Sequence, residues 1–322
     1  MHRRHFICAA AVAAVPLPAT HAQETPAAWP QRNLTVVVPY PPGGNADGVA
    51  RVFAMALADV VHKPVVVENR PGASGTIGAN LVARAPADAH TLLLTPSSQL
   101  YNTLLDAPPP YDPVRSFAPV IGLTTNPLVL GVPAGLGVHS VQELAARAKE
   151  TRLNYGSFGH GNVTHVLLHV LDHQMGGHMM HVPYKGEMQM LNDMLSGVVH
   201  AGLFSPGLMR EMEQAGKVKA LATVGVRRSA FLPQVPTFSE LGYSQLDWLF
   251  SSTVYTSSAT LPALLARLEA AADHVARSKA VQDALAQRGS EFWGAGPAEM
   301  RAQIASTTRR WAQLVAELGK LR

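Results

Sequence analysis

The stretch Leu34-Thr-Val-Val-Val-Pro-Tyr40-Pro-Pro-Gly-Gly-Asn-Ala-Asp47-Gly-Val-Ala-Arg51 joins an apolar β-type run to a Pro/Gly loop and then to a helical pattern. The first N–H groups of a helix have no intrahelical acceptor, and glycines let a ligand come close to them. The helix dipole adds about 0.3–1 kcal/mol per helix end for a negative group. This order of elements therefore builds an anion site from main chain alone.

Outward from this stretch, β-runs alternate with helical segments. Strand-like Leu34–Val38, Val65–Glu68 and Thr91–Thr95 are separated by helical Asp47–Val61 and Thr76–Ala85. A proline-rich connection, Ala107–Pro113, leads to strand-like Phe117–Thr124 and Leu128–Val132. A second unit starts near Gly135. It reads helix Val141–Glu150, strand Leu153–Gly156, helix Val163–Met175, strand His181–Pro183, helix Glu187–Ser196 and strand Val198–Phe204. Ser140 and Glu143 have the spacing of a capping box. Val218–Val224 and the stretch around Thr253–Tyr255 complete the strands, and Pro262–Ser278, Lys279–Arg288 and Pro297–Leu318 are helical. The pattern is α/β, each unit a mostly parallel sheet flanked by helices. Ligands in such sheets sit outside the carboxyl ends of the strands. The loops Tyr40–Asp47, Thr95–Asn102 and Tyr155–Thr164 occupy those ends in two units, which predicts a cleft between two lobes.

The N-terminus predicts export. Met1-His-Arg-Arg-His5 is basic, Phe6 to Val15 is a short apolar run, and Thr20-His-Ala22 offers small residues for cleavage before Gln23. A run of about ten apolar residues suits a cleaved signal peptide, since a membrane span needs about twenty. Arg3-Arg4 with Phe6 leaves the general and twin-arginine routes both open. The chain's one cysteine, Cys8, lies in this segment, so the mature part uses neither disulfides nor thiol chemistry. Removal of residues 1–22 lowers the formal charge from +4 to +2, because Arg3 and Arg4 leave without an acid. That bias is too weak for a nucleic-acid protein.

Five ordered blocks carry a resemblance. They are Val38-Pro-Tyr-Pro-Pro-Gly-Gly44 with Asp47 and Arg51, Val67-Glu-Asn-Arg-Pro-Gly-Ala-Ser-Gly-Thr-Ile-Gly-Ala79, and Tyr111-Asp-Pro with Phe117-Ala-Pro-Val120. His181-Val-Pro-Tyr-Lys-Gly186, behind the loop at Tyr155-Gly-Ser157, and Arg228-Ser229 with Leu232-Pro-Gln-Val-Pro-Thr237 follow. In these blocks the chain resembles the Bug-type periplasmic substrate-binding proteins of tripartite tricarboxylate transporters. The resemblance implies a two-lobe periplasmic-binding-protein (Venus flytrap) architecture. Lobe 1 is expected over 32–130 plus 253–322, and lobe 2 over 131–252. It implies a monomer that closes over a small di- or tricarboxylate-like ligand and presents it to a membrane permease. The implied ligand-binding residues are Tyr40, Gly43, Gly44 and Asp47 in the first loop, and Ser97, Ser98 and Asn102 after the third strand. Ser157, Gly159, Asn162 and Thr164 come from the second lobe, with Tyr184 and Phe204 as walls. The chain departs from the family pattern where Phe158, His160 and Asn162 interrupt a serine-rich loop and Gln99 replaces a common histidine. His200 and Ser205 stand where acids are common, and fewer acids near the cleft predict a dianion in preference to a zwitterion.

Simpler readings stand beside these. Gly43-Gly44 suits any tight turn, Asp47 suits a helix cap, and Arg51 and Arg70 suit structural ion pairs. Six histidines fall between His160 and His181, and His165, His169 and His173 are spaced i, i+4, i+8. That spacing offers a Zn, Ni or Cu site as an alternative, although Asp172 cannot share the face of all three and no cysteine joins them. A carboxylate sensor docking on a signalling receptor is a further alternative. Gly156-x-x-Gly159-x-Gly161 is not a dinucleotide fingerprint, and no phosphate-loop or nucleophile-elbow motif occurs. The reading has no catalytic residues and no cofactor.

Overall fold

The computed structural model describes residues 29–96, 109–225 and 227–318. The signal-like segment 1–22 and Ser97, Ser98, Gln99 and Asn102 lie outside the described residues. Among the described residues no helix is long and apolar enough to cross a membrane.

Alternating side chains organise the first lobe. In β1 (Leu34–Val38), Leu34, Val36 and Val38 enter one hydrophobic cluster while Val37 enters another. In β3 (Thr91–Pro96), Leu92 and Leu94 divide from Leu93 in the same way. Burial on both faces explains why these strands read as unbroken apolar runs. Helix α1 (Asn45–Val61) buries Val49, Val52, Phe53 and Leu57, one stripe at i, i+3, i+4 and i+8. β2 (Val65–Asn69) pairs parallel with β1 and leads to α2 (Thr76–Ala83).

The remaining strands of this sheet are β4 (Phe117–Thr125), β10 (Ser251–Ser257) and β11 (Glu291–Ala295), in the order β11-β4-β10-β3-β1-β2. Three helices, α7 (Pro262–Arg277), α8 (Lys279–Gln287) and α9 (Pro297–Leu318), follow β10. The second sheet contains β5 (Leu128–Pro133), β6 (Asn154–Ser157), β7 (Met180–Pro183), β8 (Ala201–Phe204) and β9 (Val218–Val224), ordered β7-β6-β8-β5-β9. Its helices are α3 (Val141–Glu150), α4 (Val163–Met175), α5 (Glu187–Leu195) and α6 (Pro206–Gln214).

Both sheets are mixed. β1 is parallel to β2 and β3, and β6 to β7 and β8, as β-α-β order dictates. β10 and β5 run antiparallel to both of their neighbours. The reason is direction of entry: β1, β3, β6 and β8 run toward the cleft, whereas β5 and β10 leave it. The chain crosses between sheets at Asn126-Pro127 and between β9 and β10. Asn126 N–H donates to Phe250 O at 2.8 Å, tying the two crossings together. Leu128–Leu130 therefore pair in the second sheet and Ser251–Ser252 in the first, a few residues from the expected boundaries at 130/131 and 252/253.

Two elements escape the sequence pattern. α6 starts at Ser205-Pro206, with proline at a position that needs no N–H, and β11 is a short edge strand with a register shift against β4. The Ser140 hydroxyl accepts from Glu143 N–H at 3.1 Å as the box spacing predicts, while the Glu143 carboxylate reaches His139 N–H, one residue before the cap. α9 is anchored by Trp311, which is fully buried and meets Trp248 edge to face at 5.9 Å.

Beneath the loop after β6, His165 and His181 stack at 3.7 Å with 14° between ring planes. His165 Nδ1 accepts Gly161 N–H at 3.0 Å, and His181 Nε2 lies 2.6 Å from Ser157 Oγ. Burial, then the neighbouring imidazoles, lowers His165 to about 3 and His181 to about 4. Both rings are neutral at neutral pH.

Trp311→Ala should destabilise the protein by about 3–5 kcal/mol in urea unfolding; a loss below about 1 kcal/mol would show that α9 is not held by this ring. The histidines predict acid sensitivity. Unfolded, each titrates near 6.5, so stability is complete above that pH and falls as pH drops toward the folded values. The slope approaches about 1.4 kcal/mol per pH unit for each histidine. Melting curves from pH 7.5 to 5 should fall more steeply for the wild type than for His165→Gln/His181→Gln. Equal slopes would remove these rings as the cause.

Candidate functional site

Four helices begin at one cavity. It measures about 330 Å³ and lies between the two sheets at the carboxyl ends of β1, β3 and β8. α1 brings Gly44, Asn45, Ala46 and Asp47 to its wall, and α4 brings Asn162 and Thr164. α5 brings Gly186, Glu187, Met188 and Gln189, and α6 its cap residue Ser205. Each helix end behaves as roughly half a positive charge. Among the described lining residues there is no Lys, Arg or His, and residues 97–108 contain none either. The positive potential is therefore main-chain potential.

The first loop is held from behind. The Asp47 carboxylate is almost fully buried and accepts Gly43 N–H at 3.1 Å and Asn69 Nδ2 at 3.0 Å. The Arg51 guanidinium grips both its oxygens at 2.9 and 3.0 Å. Asn69 Nδ2 also donates to Tyr40 O, closing the loop onto β2. Burial pushes the Asp47 carboxyl up, but Arg51, Gly43 and Asn69 together hold it below the usual carboxylate range. Asp47 lies in the first turn, with Gly44 as the cap residue. Its task is to fix the loop so that α1's leading N–H groups face the cavity.

Beside the Arg227–Glu291 ion pair at the periphery, contacts at the cleft bring the lobes together. Tyr40 of the first lobe hydrogen-bonds the Asn162 side chain of the second. Ser74 Oγ donates to His160 O at 3.2 Å. A Cβ on Gly159 would lie 2.4 Å from Ser74 Oγ, so only glycine permits that approach, at a φ of 122°. A third contact centres on Glu187. The Glu187 carboxylate accepts Ser205 N–H at 2.5 Å, the Ser205 hydroxyl and, across the cleft, Asn45 N–H. Burial pushes this carboxyl up, against the lowering pull of those donors.

Of the residues expected at the ligand, Tyr40, Gly44, Asp47, Asn162 and Thr164 line the cavity. Gly43 does not line it, its N–H being held by Asp47. Ser157 is fully buried beneath the loop with its hydroxyl on Gly159 O and His181. Gly159 serves lobe contact. Tyr184 turns its hydroxyl to Asp193 at 2.7 Å, and Phe204 is buried in the second lobe's core against Gly131 and Gly202. Both stand behind the wall rather than in it. Phe204 is the last residue of β8, and it is the next residue, Ser205, that reaches the cavity.

The pattern reading missed Glu187, Asn126, Leu128 and Phe250. An acid in the first turn of a helix reads as ordinary dipole compensation, which hides Glu187. The other three mark the crossings, which only the tertiary fold brings beneath the cleft. Asn126 shares hydrogen bonds with the Thr124 and Ser252 side chains there. Glu187 also overturns the premise that the cleft is short of acids, because it supplies one at the donors of Ser205.

His165, His169 and His173 line one pocket, and Asp172, expected not to share their face, lines it too, but among the described residues these three histidines do not form a close ligand set. His165 is buried, whereas His173 is exposed. The described residues instead bring ring nitrogens of His160, His165 and His181 within 4.8 Å of one another. The parallel stack of His165 on His181 aims their in-plane lone pairs side by side, not at one point, and each ring already uses a nitrogen to hold the loop.

Residues 49–320 match the family described as the tripartite tricarboxylate transporter family receptor. The Bordetella pertussis protein BugT is 34% identical over 295 residues, covering 90% of each chain. The solved periplasmic binding protein BugD superposes with a TM-score of 0.83 at 27% identity, covering 90% of this chain and 98% of its own. MatC from Rhodopseudomonas palustris, solved with bound malate, gives 0.82 at 26% identity, with 89% and 100% covered. Matched over most of its length and built on the same two-lobe fold, the chain belongs to the tripartite tricarboxylate transporter receptor family.

Proposed function

We propose that this protein is a periplasmic receptor that captures a small carboxylate in the interlobe cavity and delivers it to the membrane permease of a tripartite transporter. The observation that carries this reading is the convergence of four helix N-termini on a cavity whose described lining residues include no cationic side chain. Such a site binds an anion through fixed N–H dipoles and hydroxyls. Residues 1–22 serve as the cleaved export signal. MatC's malate supports a carboxylate as the ligand.

The division of donors between lobes sets the mechanism. α1 belongs to the first lobe, and α4, α5 and α6 to the second. An anion that meets one lobe gains the rest of its donors only on closure, so affinity includes the open–closed equilibrium. The crossings at Asn126 and Phe250 form the floor about which the lobes rotate. Release to the permease requires that the permease favour the open form. Nothing in this cycle alters a covalent bond.

Gly44 offers the direct test. Its φ of −82° suits any residue, and a Cβ placed there meets nothing within 4 Å, because it projects into the cavity. Gly44→Val should therefore fold with the wild-type melting temperature and bind carboxylates at least ten-fold more weakly in calorimetric titration. Unchanged affinity in the folded variant would show that α1's N-terminus does not meet the ligand.

A further inference from the structure

Glu187 sits where a ligand's carboxylate is expected to sit. Its acceptors hold the N–H of Asn45, the first residue of α1, and both the N–H and hydroxyl of Ser205, the cap of α6. Two of the four helix ends are thus already engaged by a carboxylate of the protein itself. Four ends of roughly half a charge each amount to about two positive charges. Glu187 already occupies donors at two of these ends, and Asp47 is matched separately by Arg51. What remains suits a single negative charge.

The walls specify the rest of the ligand. Pro41, Pro42, Pro96, Leu128, Phe158 and Phe250 surround the space beside the helix ends. These side chains offer an apolar body a dry surface, while the amides of Asn126 and Asn162 on the same wall are already engaged with Thr124, Ser252 and Thr164. An ammonium group is not favoured either, since the Glu187 carboxylate already accepts three hydrogen bonds and no other uncompensated acid lines the described cavity. Building on the carboxylate-receptor reading, we infer that the ligand is a monocarboxylate with an apolar body. Glu187 is the residue that excludes dianions by occupying the donors a second carboxylate needs.

Calorimetric titration of the purified protein with phenylacetate, hexanoate, succinate, citrate and phenylalanine tests this. Phenylacetate or hexanoate should bind at least ten-fold more tightly than succinate, citrate or phenylalanine. Glu187→Gln keeps the side chain's size and removes its charge, and it should narrow the ratio between phenylacetate and succinate at least ten-fold. Glu187→Ser serves the same comparison should the amide variant unfold, with melting temperature reporting the fold. Tighter wild-type binding of succinate, citrate or phenylalanine overturns the inference and leaves the carboxylate reading standing, as does an unchanged ratio in both folded variants. Failure of every acid to bind, to wild type and variants alike, overturns the carboxylate reading itself.

Discussion

Peptide dipoles at helix ends carry the positive charge of this cavity, and that constraint shapes much of what surrounds it. A lysine or arginine would bring a mobile charge whose position and desolvation must both be compensated. A helix N-terminus is fixed by the hydrogen bonds of the whole helix and by the strand before it. Its field is modest, so several ends must aim at one place. A two-lobe α/β protein meets this requirement because each β-strand running toward the cleft delivers a helix that begins there. β1 leads into α1, β6 into α4, β7 into α5 and β8 into α6.

Two carboxylates near the cavity show how position decides role. Asp47 is buried behind its loop, bound by Arg51, Asn69 and Gly43, and its charge is spent on geometry. Glu187 faces the cavity with N–H and O–H donors but no cation, and burial raises its carboxyl. Removing Asp47 would release the loop that presents α1. Changing Glu187 would leave the helices in place and alter the charge they meet. The first residue positions the site and the second sets its electrostatic balance.

Much of the architecture was legible because both periodicities are strong. Val163–Met175, Val141–Glu150, Val218–Val224 and Leu34–Val38 occupy the expected spans. The antiparallel entry of β5 and β10 was not legible, since their direction depends on crossings that no local pattern encodes. α6 and β11 were missed for local reasons: one hides behind a proline, and the other is an irregular edge strand of five residues. At the site, the first loop was readable because proline, glycine and a capping acid act over short range. Ser157, Tyr184 and Phe204 could not be placed, because strand register decides whether a side chain faces the cavity, the core or the rear of the wall. Glu187 was invisible for a different reason. Its partner across the cleft, Asn45, lies 142 positions away in the chain.

The same logic explains how such a scaffold can change its ligand without changing its fold. The helix ends come from strands buried in the two cores, where substitutions act on stability. Some cap and first-turn side chains, such as those of Ser205 and Glu187, face the cavity and carry little of that packing. An acid placed at the first turn of α5 accepts from the cap of α6 and from α1 in one step, occupying donors of the site and linking the lobes. Apolar residues at the loops and crossings, such as Phe158, Leu128 and Phe250, then decide what body accompanies the remaining charge. Apolar walls lower the local dielectric, and in such a space N–H dipoles act more strongly on an anion. Charge selection and shape selection thus lie on different elements, and each can vary while the hinged frame stays constant.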